Sequence, residues 1–270
     1  MSNRIIRGLS RRTLLGQAGA VLVAGLAWPA QAKALPISQA INRAGRLRAL
    51  SQRLSKAYVQ AALEVLPDRA QDILANTQQL LAGSLAELSA GGGPADLQAQ
   101  LTAVERDHRA LVAAVGGRPR REAGLDVART ADTLLESANR LTQAYESQSR
   151  QASARIVNVA GRQRMLSQRA ARAYFLAAAG HDSPAVRNQL ATARSEFGQG
   201  LVTLQAAAIS TPAIRNELEL ARSQWLFQEA ALARAASPET LQTVATTSER
   251  VYEVMDNLTA LYDAALRDLL

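Results

Sequence analysis

Arginine is the residue whose type and placement could do chemistry in this chain. Arg48 and Arg164 hold the same place in a segment that occurs twice. The first copy reads Asn42-Arg43-Ala44-Gly45-Arg46-Leu47-Arg48-Ala49-Leu50-Ser51-Gln52-Arg53, and the second Asn158-Val159-Ala160-Gly161-Arg162-Gln163-Arg164-Met165-Leu166-Ser167-Gln168-Arg169. The copies lie 116 residues apart, and 11 of the 18 positions from Ile41 to Tyr58 are identical in both. A guanidinium presents a planar fork of donors that suits oxyanions. From Ile41 to Tyr58 there are four Arg and one Lys, and from Arg155 to Tyr174 five Arg, with no acid in either stretch. Packing two such helices together crowds positive charge, unless an anion or a carboxylate neutralises it. The candidate ligand-binding residues are therefore Arg48 and Arg164, with Gly45, Gly161, Ser51 and Ser167 around them and Arg46 and Arg162 beside them. The plain alternative is a solvated basic face whose charges pair with acids on neighbouring helices.

Other chemistry has little material. The chain has no Cys, which excludes disulfides, thiolate metal sites and Cys catalysis. Its two histidines, His108 and His181, lie outside the repeat. No nucleophile–base pair, metal cluster or phosphate loop stands out, so neither an enzyme nor a cofactor is expected.

The helix that carries the arginines has two faces. Leu47, Leu50, Leu54, Ala57 and Ala61 form a 3,4-spaced core stripe. Arg46 and Arg53 flank it, where their stems can pack while their heads reach water. Arg48 lies on a second face with Ile41, Ala44, Gly45, Ser51, Gln52 and Ser55. The second copy repeats this face with Ala160, Gly161, Arg164, Ser167, Gln168 and Ala171. Small residues let another backbone come close, so a second helix is expected there.

Prolines punctuate the rest. Gly93-Pro94, Ser183-Pro184, Thr211-Pro212 and Ser237-Pro238 each read as a cap followed by a proline at the first helical position. Helices are expected near 37–65, 68–89, 94–115, 119–179, 184–208, 212–235 and 238–269, with no competing strand pattern. The proline-free stretch from Arg120 to Ser183 predicts one central helix of about 60 residues, on the order of 90 Å long. The repeat extends past the motif. Leu74, Leu85 and Leu88 recur as Leu190, Leu201 and Leu204, and Leu141-Thr142-Gln143-Ala144-Tyr145-Glu146 as Leu258-Thr259-Ala260-Leu261-Tyr262-Asp263. The expected fold is all-α: two tandem up-down four-helix-bundle modules, 36–150 and 151–270, sharing that long central helix. Whether they stack end to end or fold back is left open.

Residues 1–32 read as a twin-arginine export signal. Four arginines precede a short apolar run, Thr13 to Ala27, and Ala30-Gln31-Ala32 resembles a cleavage site. Cleavage after Ala34 or retention as a membrane anchor are the alternatives. Cutting after Ala32 leaves 27 basic residues against 23 acidic, a balance of only +4. That weak charge and export to the periplasm argue against nucleic acid as a partner. No later transmembrane helix is expected.

The repeated segment resembles the P-box of the NarX-type nitrate/nitrite sensor kinases and the related N-terminal sensory domain of the PilJ-type type IV pilus methyl-accepting chemotaxis transducers. The shared pattern is Asn-x-Ala-Gly-x-x-Arg-Met-x-Ser-x-Arg. The second copy matches throughout, and the first has Ala49 in place of Met. The resemblance implies a periplasmic antiparallel four-helix sensor module. In the nitrate sensors, two copies of the first helix meet at a dimer interface, and the Arg before Met contacts nitrate beside backbone near the Gly. Carried over, these residues are Arg164 with Gly161 and Arg48 with Gly45. A tandem chain could form this pseudo-two-fold site within itself, and a homodimer is the other arrangement. Arg46 and Arg162 stand where nitrate sensors commonly have a small residue, which suits a larger or more highly charged anion. Such sensors carry transmembrane and cytoplasmic signalling segments, and neither is expected in the sequence from Ala34 to Leu270. It is therefore expected to report to a separate membrane-bound sensor or transducer. The competing function is a helical interaction or structural protein of a type IV pilus, chemotaxis or envelope system, with no small ligand.

Overall fold

A computed structural model describes residues 35–148 and 152–267, with the side chains of 152–154 left undescribed. The expected export signal, its cleavage positions and the anchor alternative lie outside the described residues. Those residues form eight helices: α1 Ile37–Ala62, α2 Pro67–Ala90, α3 Ala95–Ala114, α4 Gly124–Gln148, α5 Ala152–Leu176, α6 Pro184–Gln205, α7 Pro212–Leu232 and α8 Pro238–Arg267. The all-α reading with two four-helix modules holds. None of these helices is long and apolar enough to cross a membrane.

Local chemistry sets most helix starts. Pro67, Pro184, Pro212 and Pro238 open their helices. Ser183 Oγ accepts from the Val186 amide at 3.3 Å, Thr211 Oγ1 from Ile214 at 3.2 Å and Ser237 Oγ from Thr240 at 3.2 Å. Each bond satisfies an amide that the first turn leaves unpaired. Two starts differ from expectation. Pro94 is the capping residue before α3 rather than its first residue. Residues 119–123 are not helical, and α4 begins at Gly124. Gly124 lies where the ends of α1 and α5 meet α4: a β-carbon on it would touch Val59 Cγ2 at 3.4 Å and Leu176 Cδ2 at 3.6 Å.

The single long central helix is not formed. α4 ends at Gln148, α5 begins at Ala152, and the two run in opposite directions. Arg172, near the end of α5, pairs with Asp132, near the start of α4. Likewise α1 is antiparallel to α4, because Arg48 bonds Asn139 while Gln52, one turn further on, bonds Asp132. α1 and α5 are therefore parallel. The physical reason is burial. A continuous rod would leave the small-residue faces of both motif helices without a partner, whereas folding back buries them on each other. Tertiary packing overrides local helix propensity here.

The modules therefore lie side by side. α1 packs on α2 and α4, α5 packs on α6 and α8, and α1 and α5 form the central pair; α3 leans on α4 and α7 on α8. α1 is buried almost all round from Ser38 to Gln60, as a helix at the centre of the molecule must be. Elsewhere the core is ordinary bundle packing, with Phe197 stacked on Trp225 at 3.8 Å between ring centroids.

Candidate functional site

The parallel pairing of α1 and α5 brings the two repeated arginines together. Arg48 is 2 % exposed and Arg164 1 %. Each side chain curls back over the glycine three residues before it. Arg48 Nε points at Gly45 O at 3.5 Å, and Arg164 Nε at Gly161 O at 3.4 Å. The glycines make room for this. A β-carbon on Gly45 would lie 3.0 Å from Arg48 Nη2 and 3.9 Å from Arg164 Nη2, and one on Gly161 would lie 3.0 Å from Arg164 Nη2. Both guanidinium groups thus reach one narrow seam.

Each arginine is held by the other copy of the motif. Arg48 Nη2 donates to Asn158 Oδ1 at 2.6 Å, and Arg164 Nη2 donates to Asn42 Oδ1 at 3.0 Å. The third contact breaks the symmetry. Arg164 Nη1 donates to the carboxylate of Asp256 on α8. Arg48 Nη1 donates to the side-chain oxygen of Asn139 on α4, at 3.0 Å. One guanidinium has a counter-ion and the other has a carboxamide. Asn158 Nδ2 donates to Glu146 at 2.6 Å, so the nearest acid reaches Arg48 only through that amide.

Electrostatics follow the geometry. Burial, followed by the charges of Arg164 and Arg162, pulls Arg48 down from the usual guanidinium range to about 9. At Asp256, burial opposes the charge, but Arg164 and Arg46 outweigh it and hold the carboxyl below its usual range. Burial also works against the charge of Arg46, but Asp256, bonded to it at 3.0 Å, raises it on balance.

The remaining candidates have other contacts. Ser51 Oγ and Ser167 Oγ donate to the carbonyls of Arg48 and Arg164, both at 2.9 Å, and so fix the helix turn beneath each guanidinium. Arg162 is exposed and pairs with Glu196 on α6 at 2.9 Å, outside the seam.

A second charged layer lies two turns further along both helices. Lys56 Nζ, fully buried, donates to Glu249 Oε1 at 2.6 Å, and Arg53 Nη2 donates to Glu249 Oε2 at 2.5 Å. The expectation that Arg53 extends to water fails. It is 9 % exposed, packed over the Tyr252 ring at 4.8 Å, because a carboxylate from α8 is within reach inside. The equivalent pair is Arg172 with Asp132, bonded at 2.9 and 3.1 Å. Both pairs link a helix of one module to a helix of the other, so they pin the modules in register. The sequence reading missed this layer and the roles of Asn42, Asn158, Asn139 and Asp256. One signal could have found them: at the offset that aligns Leu141 with Leu258, Asn139 falls on Asp256 and Asp132 on Glu249.

The PilJ family, the type IV pili methyl-accepting chemotaxis transducer N-terminal domain, matches residues 30–146 and again 145–250. The chain belongs to this family. Its two PilJ copies meet where α4 gives way to α5, and the two motif helices belong one to each copy. No curated protein and no solved structure matches the chain.

Proposed function

We propose that this tandem PilJ protein is a periplasmic sensory component of a type IV pilus chemosensory system. In this reading it binds a small nitrate- or nitrite-like oxyanion at the Arg48–Arg164 seam and reports to a membrane-bound transducer. One observation supports the reading: two buried guanidinium groups converge on a glycine-lined seam between parallel helices. Like charges held close in a medium less polar than water repel, and an oxyanion relieves that repulsion through directed hydrogen bonds. The seam lies between the modules, so an anion there would alter how α1 and α5 pack. Such a change in packing is the physical basis of the signal in this reading.

The alternative is a helical interaction protein without a small ligand. It draws on the hydrogen bonds that Arg48 and Arg164 already make within the chain.

A thermal-shift series with nitrate, nitrite, sulfate and phosphate, at constant ionic strength against chloride, tests the choice. A ligand of the native state at a hundred times its Kd stabilises by about 2.7 kcal/mol. A selective rise in melting temperature that vanishes in the Arg48→Ala/Arg164→Ala double variant, with helical circular dichroism retained, is the expected result. No response to any of the four anions would remove the ligand and leave the interaction reading.

A further inference from the structure

The duplication supplies an internal control for the seam, because the two arginines make equivalent bonds through Nε, to the glycine carbonyl, and through Nη2, to the other copy's asparagine. Their Nη1 partners differ in kind. α4 and α8 align with Leu141-Thr142 on Leu258-Thr259, and that alignment sets Asn139 against Asp256. These side chains have the same planar shape and each accepts from its arginine's Nη1. They differ by one negative charge.

We infer that the seam is a half-site: Arg48 alone takes the ligand, a planar monoanion, and Asp256 already fills the equivalent place beside Arg164. This rests on the anion-binding reading above and narrows its ligand class. Asp256 is doubly engaged, with Oδ2 accepting from Arg46 at 3.0 Å and Oδ1 from Arg164. An incoming anion gains little there. Arg48 has only carboxamide oxygens around its fork, from Asn139 and Asn158. Both asparagines are partly exposed, so they stand between Arg48 and solvent. Asn139 is the movable one, since Asn158 is tied to Glu146. Rotating the Asn139 amide out frees Arg48 Nη1 for the guest. A planar oxyanion such as nitrate, nitrite or a carboxylate then sits against Arg48 as Asp256 sits against Arg164. The shortfall is a single charge, which selects a monoanion over sulfate.

The test is calorimetric titration of the protein with sodium nitrate and, separately, sodium sulfate, in chloride buffer of constant ionic strength. Wild type is expected to bind one nitrate per chain. Asn139→Asp supplies the missing counter-ion, so it should keep the fold and weaken nitrate binding by at least about tenfold. Asp256→Asn opens the second half, so its stoichiometry should rise to two nitrates or its preference should turn to sulfate. Nitrate binding that survives Asn139→Asp at full strength would overturn the half-site while leaving anion binding intact. A wild type that ignores both anions would remove the parent reading instead.

Discussion

Replacing Glu249 by Gln probes the layer that pins the modules together. Glu249 is 2 % exposed and is the carboxylate shared by Lys56 and Arg53. Burial opposes its charge, but the two cations outweigh burial and hold the carboxyl at about 2, against an ordinary 4.5. At about 1.4 kcal/mol per pKa unit, that difference corresponds to about 3 kcal/mol of stability. At Lys56, burial outweighs the carboxylate and lowers the ammonium's pKa, which offsets part of this. The folded value lies below the unfolded one at Glu249. Its stabilisation is therefore fully present above pH 4.5 and is lost as pH falls toward 2. Glu249→Gln removes the acceptor charge and leaves a fully buried ammonium beside a guanidinium. The expected cost is about 3–5 kcal/mol at pH 7, or roughly 10 °C in melting temperature for a chain of this size. Thermal and urea melts followed by circular dichroism, at several pH values between 2 and 7, measure both effects. The variant should show a smaller drop in stability between pH 4.5 and 2 than the wild type, with the part due to Asp256 remaining. Replacing all three charges, with Lys56→Met, Arg53→Met and Glu249→Leu, should recover most of the loss, because an apolar cluster needs no counter-ion. A Glu249→Gln cost below about 1 kcal/mol, or an unchanged acid response, would refute the reasoning.

Two other perturbations separate packing from binding. Phe197→Ala should cost about 3–5 kcal/mol, since Phe197 is fully buried against Trp225. Trp225 is the sole tryptophan after residue 32, so its emission should shift to the red as water enters. Gly45→Ala should leave the melting temperature within a few degrees, because the roughly 1 kcal/mol gained in helix propensity offsets the displaced guanidinium. It should still weaken the nitrate response, since the new methyl group stands 3.0 Å from Arg48 Nη2. Gly161→Ala, which crowds Arg164, should disturb that response far less.

What could be read from the chain beforehand depended on the range of the interaction involved. Pro184, Pro212 and Pro238 act within one turn, and the helices start at them, behind the Ser or Thr cap, as the capping chemistry requires. The second face of the motif helix, with Gly45 and Arg48 together, was also visible, because helical geometry sets it within a few residues. The central helix was misjudged for the opposite reason. Lack of proline says only that a helix is permitted, and the demand that α1 and α5 bury each other acts across more than a hundred residues. Arg53 looked like a solvated charge because burying a cation is unfavourable without a partner. Its partner Glu249 is nearly two hundred residues away, on α8.

The tandem arrangement also explains why the seam can be unequal. In a symmetric pair of identical single modules, any change beside one arginine appears beside the other. Two buried guanidinium groups would then both carry a carboxylate or both lack one. Covalent duplication removes that constraint. Asp256 can neutralise Arg164 and, by accepting from Arg46 of the other module, tie the modules together, while Asn139 leaves Arg48 short of one charge. The counter-ion that holds the fold and the neutral amide that would give way to a ligand thus lie at equivalent positions of the two halves. A single substitution on either side, Asn139→Asp or Asp256→Asn, makes the halves alike again in opposite senses. The first is expected to strengthen the pairing at the expense of anion binding, and the second to strengthen anion binding at the expense of the pairing.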